Sequence, residues 1–139
     1  MTREEVNSYI VNHGILPELK FGQNFLCDET IIDSIISVSD IDSDSNVLEI
    51  GPGIGALTRP LVSLGANVTC VEIDKRLAQY ISEDLESINV IASDYTKLTN
   101  YNESSFDYAI SNIPYYVMTP IIIKLLSDLP NCKKMTFMI

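Results

Sequence analysis

The chain has 139 residues, of which 46% are hydrophobic, and its 19 acidic and 9 basic residues give a net charge of −10. This length and apolar content predict one folded domain and exclude a disordered chain. The acidic balance argues against nucleic-acid binding by this chain alone, because neutralising phosphates requires clustered lysine and arginine.

Cysteine usage and hydropathy narrow the class of protein further. The apolar stretches are shorter than the roughly 20 residues of a membrane helix, so we expect no membrane partner. Cys27, Cys70 and Cys132 lack the paired spacing of a metal or redox motif. We therefore expect buried thiols, no metal and a cytoplasmic location.

The first 45 residues show helical patterns and no strand pattern. A helix is expected over residues 4–13 and ends at Gly14, which readily adopts the left-handed cap conformation. After an irregular segment, Asp28 can cap a second helix in which isoleucines recur at helical spacing. We predict an N-terminal helical unit over residues 1–45.

Residues 46–139 alternate between strand patterns and helix-length segments. Strands are expected at residues 47–50, 67–73, 88–92, 106–111 and 135–139. Helices are expected at residues 56–64, 74–85 and 119–129, the last with Thr119 as N-cap and Pro120 as first residue. This alternation requires right-handed crossovers and predicts an α/β fold, a Rossmann-like, doubly wound parallel sheet. A chain that stops on an edge strand is unusual, so we expect an N-terminal piece of a longer protein.

A glycine-rich turn, Glu49-Ile-Gly-Pro-Gly-Ile-Gly55, follows the first strand. Gly51, Gly53 and Gly55 would let the backbone approach a nucleotide-like cofactor closely. The turn also matches a dinucleotide fingerprint with Glu72 at the expected acidic position, so a nicotinamide-dependent oxidoreductase stays an alternative. Glu49 favours S-adenosylmethionine, because its charge would repel a pyrophosphate but could pair with an α-ammonium group, directly or through water.

Further carboxylates stand at the ends of the second and third strands. Glu72 could accept hydrogen bonds from both ribose hydroxyls of the cofactor. Asp94 could accept a hydrogen bond from the adenine amine of the cofactor, with Ile73 against the adenine ring. Alternatively, Asp94 could simply cap a helix, which is the role expected for Asp74. The repetition of acids at successive strand ends favours the cofactor site.

The segment Asn112-Ile-Pro-Tyr115 follows the fourth strand and suits a flat base with an exocyclic amine. The Asn112 side-chain oxygen and the Ile113 carbonyl could accept hydrogen bonds from both N–H groups of adenine N6, which would free the lone pair for methylation. Pro114 would direct that carbonyl, and Tyr115 would stack on the base. Orientation and electrostatics would supply most of the rate. Alone, the segment could also be an ordinary turn.

Together these motifs resemble the rRNA adenine N6,N6-dimethyltransferase family of KsgA type, from about Phe21 to the last residue. The resemblance implies a class I S-adenosylmethionine-dependent methyltransferase core whose Asn112–Tyr115 segment is catalytic. In Phe21-Gly-Gln-Asn-Phe-Leu26 it implies contacts to the methionine part of the donor. The donor contacts that it implies are Asn24, Leu26, Gly51, Glu72, Asp94 and Tyr95.

The resemblance also implies a substrate. The run Tyr115-Tyr-Val-Met-Thr-Pro120 looks more like the small-subunit enzymes than a sister family that methylates large-subunit rRNA and confers macrolide resistance, which stays an alternative. We expect dimethylation of two adjacent adenosines near the 3′ end of small-subunit (16S) rRNA in immature subunits, with S-adenosylhomocysteine as product, in ribosome biogenesis.

Family members continue well beyond this length, with further strands and a helical domain that grips RNA. We therefore expect a catalytic core interrupted after about the fifth strand, weak donor binding and no methylation of subunits by this chain alone. The full-length form is expected to be a monomer. A non-catalytic rRNA-binding assembly factor with the same fold is a further alternative.

Overall fold

The computed structural model describes residues 1–15, 26–99 and 106–138, with only the backbone of Tyr115. Its described strands form one sheet in the order β3-β2-β1-β4-β5, and all neighbours are parallel. The strands are β1 (Asn46–Ile50), β2 (Asn67–Glu72), β3 (Asn89–Ala92), β4 (Tyr108–Asn112) and β5 (Lys134–Met138). The helices are α1 (Arg3–His13), α2 (Glu29–Ser39), α3 (Thr58–Ser63), α4 (Lys75–Asp84) and α5 (Tyr115–Asp128). The predicted doubly wound parallel sheet is confirmed.

The strand order places the two main motifs side by side. β1 lies at the centre of the sheet, between β2 and β4, and Ile50 at its end pairs with Ser111 of β4. Strands β2 and β3 are added on one side of β1, and β4 and β5 on the other, so the strand order switches direction between β1 and β4, which is where open α/β sheets form their ligand crevice. The glycine turn after β1 and the segment after β4 therefore open on the same crevice.

The sheet is covered on both faces because its central strands are apolar on both sides. Val47 of β1 packs in one cluster with Ile32 of α2 and Leu61 of α3. Its neighbour Leu48 points to the opposite face and packs with Leu125 of α5. In a third cluster, α1 packs on the glycine turn and α4, through residues Val6, Ile15, Ile54 and Leu77.

Several helix ends follow the predicted cap residues. Gly14 has a φ of 61° and ends α1. Asp28 accepts hydrogen bonds from two main-chain N–H groups at the start of α2, and Asp74 accepts one at the start of α4. The other boundaries agree to within two residues; α3 begins at Thr58 because the preceding residues form turns, closed by a 2.9 Å bond from Gly55 N–H to the Pro52 carbonyl.

The predicted start of the last helix is wrong. α5 begins at Tyr115 with Pro114 as its N-cap, so Thr119 and Pro120 lie inside the helix. Pro120 removes one main-chain hydrogen bond. We attribute the tolerance of this loss to Ile121 and Leu125, which bury the inner face of α5 on the sheet and outweigh the local preference of proline for a first turn.

Among the described helices, none combines the length and the apolar character that crossing a membrane would require.

Candidate functional site

A cavity of about 740 Å³ opens at the carboxyl ends of β1, β2, β3 and β4. The glycine turn, the first turn of α5 and the segment after β3 form its walls. Most of the predicted site residues line it: Leu26, Glu49, Gly51, Gly53, Glu72, Ile73, Asp94, Tyr95, Asn112, Ile113 and Pro114. The sheet therefore collects into one cavity residues that are spread over almost ninety positions of the sequence.

Three predicted residues are not placed at this cavity. Gly55 is absent from its lining; a Cβ at Gly55 would lie 3.1 Å from Arg59 and 3.3 Å from Ile81, so this glycine is packed against helices rather than facing the open space. Asn24 and the side chain of Tyr115 lie outside the described residues. Their proposed roles stay predictions.

Gly51 joins the two motifs in space. Its φ is 70°, in the left-handed region, and its N–H donates to the Val71 carbonyl at 2.9 Å. A Cβ on Gly51 would lie only 2.8 Å from Cγ2 of Ile113. Both the backbone conformation and the close approach therefore require glycine here, and they hold the turn against the segment that follows β4.

Glu72 is buried in the cavity wall and is held by main-chain groups. Its Oε1 accepts from Gly53 N–H at 3.0 Å and its Oε2 accepts from Asp74 N–H at 2.8 Å. Burial raises the pKa of Glu72, and these two hydrogen bonds partly oppose that effect. Because a carboxylate has about four acceptor positions, lone pairs remain for ribose hydroxyls on each oxygen.

Glu49 is 1% exposed and has an unusual set of partners for a carboxylate. Its Oε1 accepts from the Thr58 hydroxyl at 2.6 Å and from the Cys70 thiol at 3.8 Å. Neither donor carries a positive charge. Burial therefore dominates and raises the pKa of Glu49 to about 7, with the nearby charge of Glu72 acting in the same direction. A cation that entered the cavity would meet a carboxylate without a cationic partner among these contacts.

This burial predicts that the ligand-free protein loses stability as the pH rises. Between pH 4.5, the ordinary pKa of a glutamate, and about pH 7, Glu49 keeps its proton in the native state but loses it in the unfolded state. The native state then binds more protons, so the free energy of unfolding falls with pH, by on the order of 3 kcal/mol. Glu72 acts in the same direction.

Urea denaturation at pH 5 and pH 8 measures this effect. Glu49→Gln should remove most of the difference between the two pH values, whereas Glu86→Gln, at an exposed position, should leave it unchanged. A wild-type protein that is more stable at pH 8 than at pH 5 would contradict the assignment.

Asp94 and Tyr95 combine local and cavity roles. Asp94 Oδ1 accepts from the N–H and the hydroxyl of Thr96, at 3.0 and 2.8 Å, so this acid caps the short 3-10 turn Tyr95–Lys97 and also lines the cavity. The Tyr95 ring is 2% exposed, and its hydroxyl donates to Asp128 of α5 at 2.9 Å. Tyr95 thus ties the segment after β3 to α5.

Two hydroxyl residues near the site were not predicted. Ser111 is fully buried, and its Oγ donates to the Ile50 carbonyl at 2.7 Å, which locks β4 to β1 directly before Asn112. Thr58 binds Glu49 as described above. The only signal in the sequence was a small polar residue within an apolar segment. No group of three or more His, Cys, Asp or Glu is arranged to hold a metal in residues 1–15, 26–99 and 106–138.

Known proteins with similar sequences support the interpretation of this cavity as a methyltransferase site. The profile of one family, ribosomal RNA adenine dimethylase, matches residues 17–139. The ribosomal RNA small subunit methyltransferase A of Shouchella clausii is 35% identical over 99% of this chain, and that of Clostridium botulinum is 38% identical over 99%. These matches cover 50% and 51% of the relatives, so the chain spans about half the length of the curated relatives it matches.

Solved structures show the same relationship. The 23S rRNA methyltransferase ErmE superimposes with a TM-score of 0.70 at 33% identity, over 82% of this chain and 47% of that one. A dimethyladenosine transferase from Plasmodium falciparum gives 0.69 at 32% identity, over 84% and 42%. The sheet order, the cavity and the match over most of the chain lead to one conclusion: the chain belongs to the ribosomal RNA adenine dimethylase family.

Proposed function

We propose that this chain forms the donor-binding half of an rRNA adenine N6,N6-dimethyltransferase that uses S-adenosylmethionine. The observation that carries the proposal is the contact between the glycine turn and the Asn112 segment in one cavity, where a Cβ on Gly51 would collide with Ile113. A methyl donor on the turn and a base on the segment would therefore be neighbours.

The acids of the cavity suit the parts of the donor. Glu72 at the end of β2 is proposed to bind the ribose, and Asp94 after β3 the adenine amine, with Ile73 against the ring. Glu49 is proposed to receive the α-ammonium group. A buried carboxylate beside the glycine turn disfavours a pyrophosphate, because two negative charges in a medium of low dielectric constant repel strongly. This argues against the nicotinamide alternative.

On the acceptor side, the chain is proposed to orient the base rather than to remove a proton before attack. The sulfonium of the bound donor supplies an activated methyl group. Asn112 Oδ1 and the Ile113 carbonyl would accept hydrogen bonds from adenine N6, so that its lone pair attacks the methyl carbon while the bond to sulfur breaks. The nitrogen then releases one proton to water. Ordering both partners in one cavity supplies most of the rate enhancement.

The names of the relatives support a proposal for the substrate. Because the curated relatives are named small subunit methyltransferases, we propose small-subunit rRNA as the substrate. A cytoplasmic location is proposed with it, since that is where we expect such a substrate to be methylated. The likeness to ErmE keeps large-subunit rRNA as the second candidate. With a net charge of −10, this chain is not expected to grip RNA strongly. We propose that the half of the relatives beyond the matched region supplies most of the RNA-binding charge.

Calorimetry tests the donor site directly. At pH 8, where Glu49 is ionised, S-adenosylmethionine and S-adenosylhomocysteine should each bind at one site, and NAD should bind at least about tenfold more weakly. Glu72→Gln should weaken binding of both adenosyl ligands about tenfold, as expected for a lost charge-assisted hydrogen bond. Glu86→Gln, at an exposed position, is the matched control. NAD binding as tight as that of the methyl donor would overturn the proposal.

A further inference from the structure

Thr58 makes a contact that its own helix does not explain. It is the first residue of α3 and is 0% exposed. The N-cap residue, Leu57, makes no side-chain capping bond. The Thr58 hydroxyl points across to β1 and donates to Glu49 Oε1 at 2.6 Å. This distance lies within the range of an O–H···O hydrogen bond.

The surroundings of Glu49 make this single contact important. From β2, Cys70 and Glu72 face the carboxylate; from β4, its neighbour in register is the apolar Ile110; from α3, the partner is Thr58. The thiol of Cys70 has a raised pKa and stays protonated, so it is a weak donor at 3.8 Å. Glu72 adds only negative charge. Thr58 is therefore the strongest hydrogen-bond donor among these neighbours.

We infer that Thr58 is a positioning residue, which holds the Glu49 carboxylate in place to receive the α-ammonium group of the donor. The inference rests on the proposed function, because it gives Glu49 that role. Hydrogen bonding by Thr58 lowers the pKa of Glu49 and opposes the larger effect of burial. Without the hydroxyl, the carboxyl group would be neutral over a wider pH range and would attract the ammonium group less.

The test compares two adenosine ligands that both contain an uncharged thioether sulfur. They differ in whether the amino-acid part is present. S-Adenosylhomocysteine carries the α-ammonium group, and 5′-methylthioadenosine does not. Calorimetry between pH 5.5 and 8.5 should show that affinity for the first rises with pH as Glu49 ionises, and that affinity for the second lacks this rise. Ionisation of Glu72 affects how tightly the ribose is bound. Both ligands carry that ribose, so this effect cancels when their affinities are compared at each pH.

Thr58→Val should shift the midpoint of this rise upward by about one pH unit and, because the ionised fraction of Glu49 falls, weaken S-adenosylhomocysteine binding about fivefold at pH 7. Thr58→Ser should restore the wild-type midpoint, because it restores the hydroxyl. Affinity for 5′-methylthioadenosine should be the same in all three proteins, which also demonstrates that the variant is folded. Should the valine variant fail to fold, Thr58→Cys, with its weaker donor, should give an intermediate shift.

The outcomes separate this inference from the proposed function. A wild-type midpoint in a folded Thr58→Val protein would overturn the positioning role, and so would an equal loss of affinity for both ligands, which indicates a purely structural role. If wild-type protein binds neither adenosyl ligand at any pH, the proposed function fails and takes this inference with it.

Discussion

Replacement of Asn112 by alanine is expected to reduce methyl transfer at least about a hundredfold, while donor affinity falls less than about tenfold. The physical reason is that the amide oxygen is proposed to hold the reacting nitrogen, a contact that strengthens as charge develops on N6. Asn112 is the last residue of β4, lines the cavity and is preceded by Ser111, which is anchored to β1. Its position is thus set by the sheet.

The assay requires a protein of the length of the relatives. The chain can be joined to the unmatched half of the Shouchella clausii methyltransferase, since the match covers half of that protein. Methyl incorporation into small-subunit and large-subunit rRNA then distinguishes the two substrates. Dimethylated N6 cannot pair with another base, so reverse transcription should stop at the modified adenosines.

Asn89→Ala provides the matched control, because Asn89 is an exposed asparagine at the start of edge strand β3, remote from the cavity lining. It should change neither transfer nor donor affinity. An Asn112→Ala chimera that retains methyl transfer within about threefold of the parent would rule out the proposed role of the amide. Transfer to large-subunit rRNA alone would favour the second candidate substrate.

The second large effect is expected at Gly51. Gly51→Ala should lower the free energy of unfolding by roughly 2–4 kcal/mol and abolish measurable donor binding. Alanine at a φ of 70° is strained, and its Cβ would lie 2.8 Å from Cγ2 of Ile113. The turn and the acceptor segment would have to move apart, and this movement would distort the cavity that both of them line.

The variant Gly14→Ala distinguishes backbone strain from the collision with Ile113. Gly14 has a similar φ of 61°, but a Cβ there would meet no atom of residues 1–15, 26–99 or 106–138 within 4 Å. This variant should lose only about 1 kcal/mol of stability through backbone strain and should bind donor normally. The double variant Gly51→Ala with Ile113→Ala should recover part of the lost stability, because it relieves the collision but keeps the strain. Equal losses for Gly14→Ala and Gly51→Ala in urea denaturation would show that the collision is absent.

Local sequence patterns predicted much of this protein. Alternation of apolar strands with helix-length segments indicated the parallel sheet, and Asp28, Asp74 and Gly14 marked helix ends correctly, since caps depend on only a few neighbouring residues. The sequence also placed the glycine turn directly after the first strand and the Asn112 segment directly after the fourth, both at carboxyl ends of strands. The start of α5 was predicted wrongly, because burial of its inner face prevails over the local signal of Pro120.

The sequence by itself therefore determined the fold class and which segments face the crevice, because both depend on short-range periodicity and on turns. Only the tertiary structure decided how the acids are held. Glu49 meets a threonine nine residues away and a cysteine twenty-one residues away, and Glu72 meets the N–H of Gly53 nineteen residues away. Such partners, and the burial that shifts the pKa values of both acids, arise only when separate strands and helices come together in the folded protein.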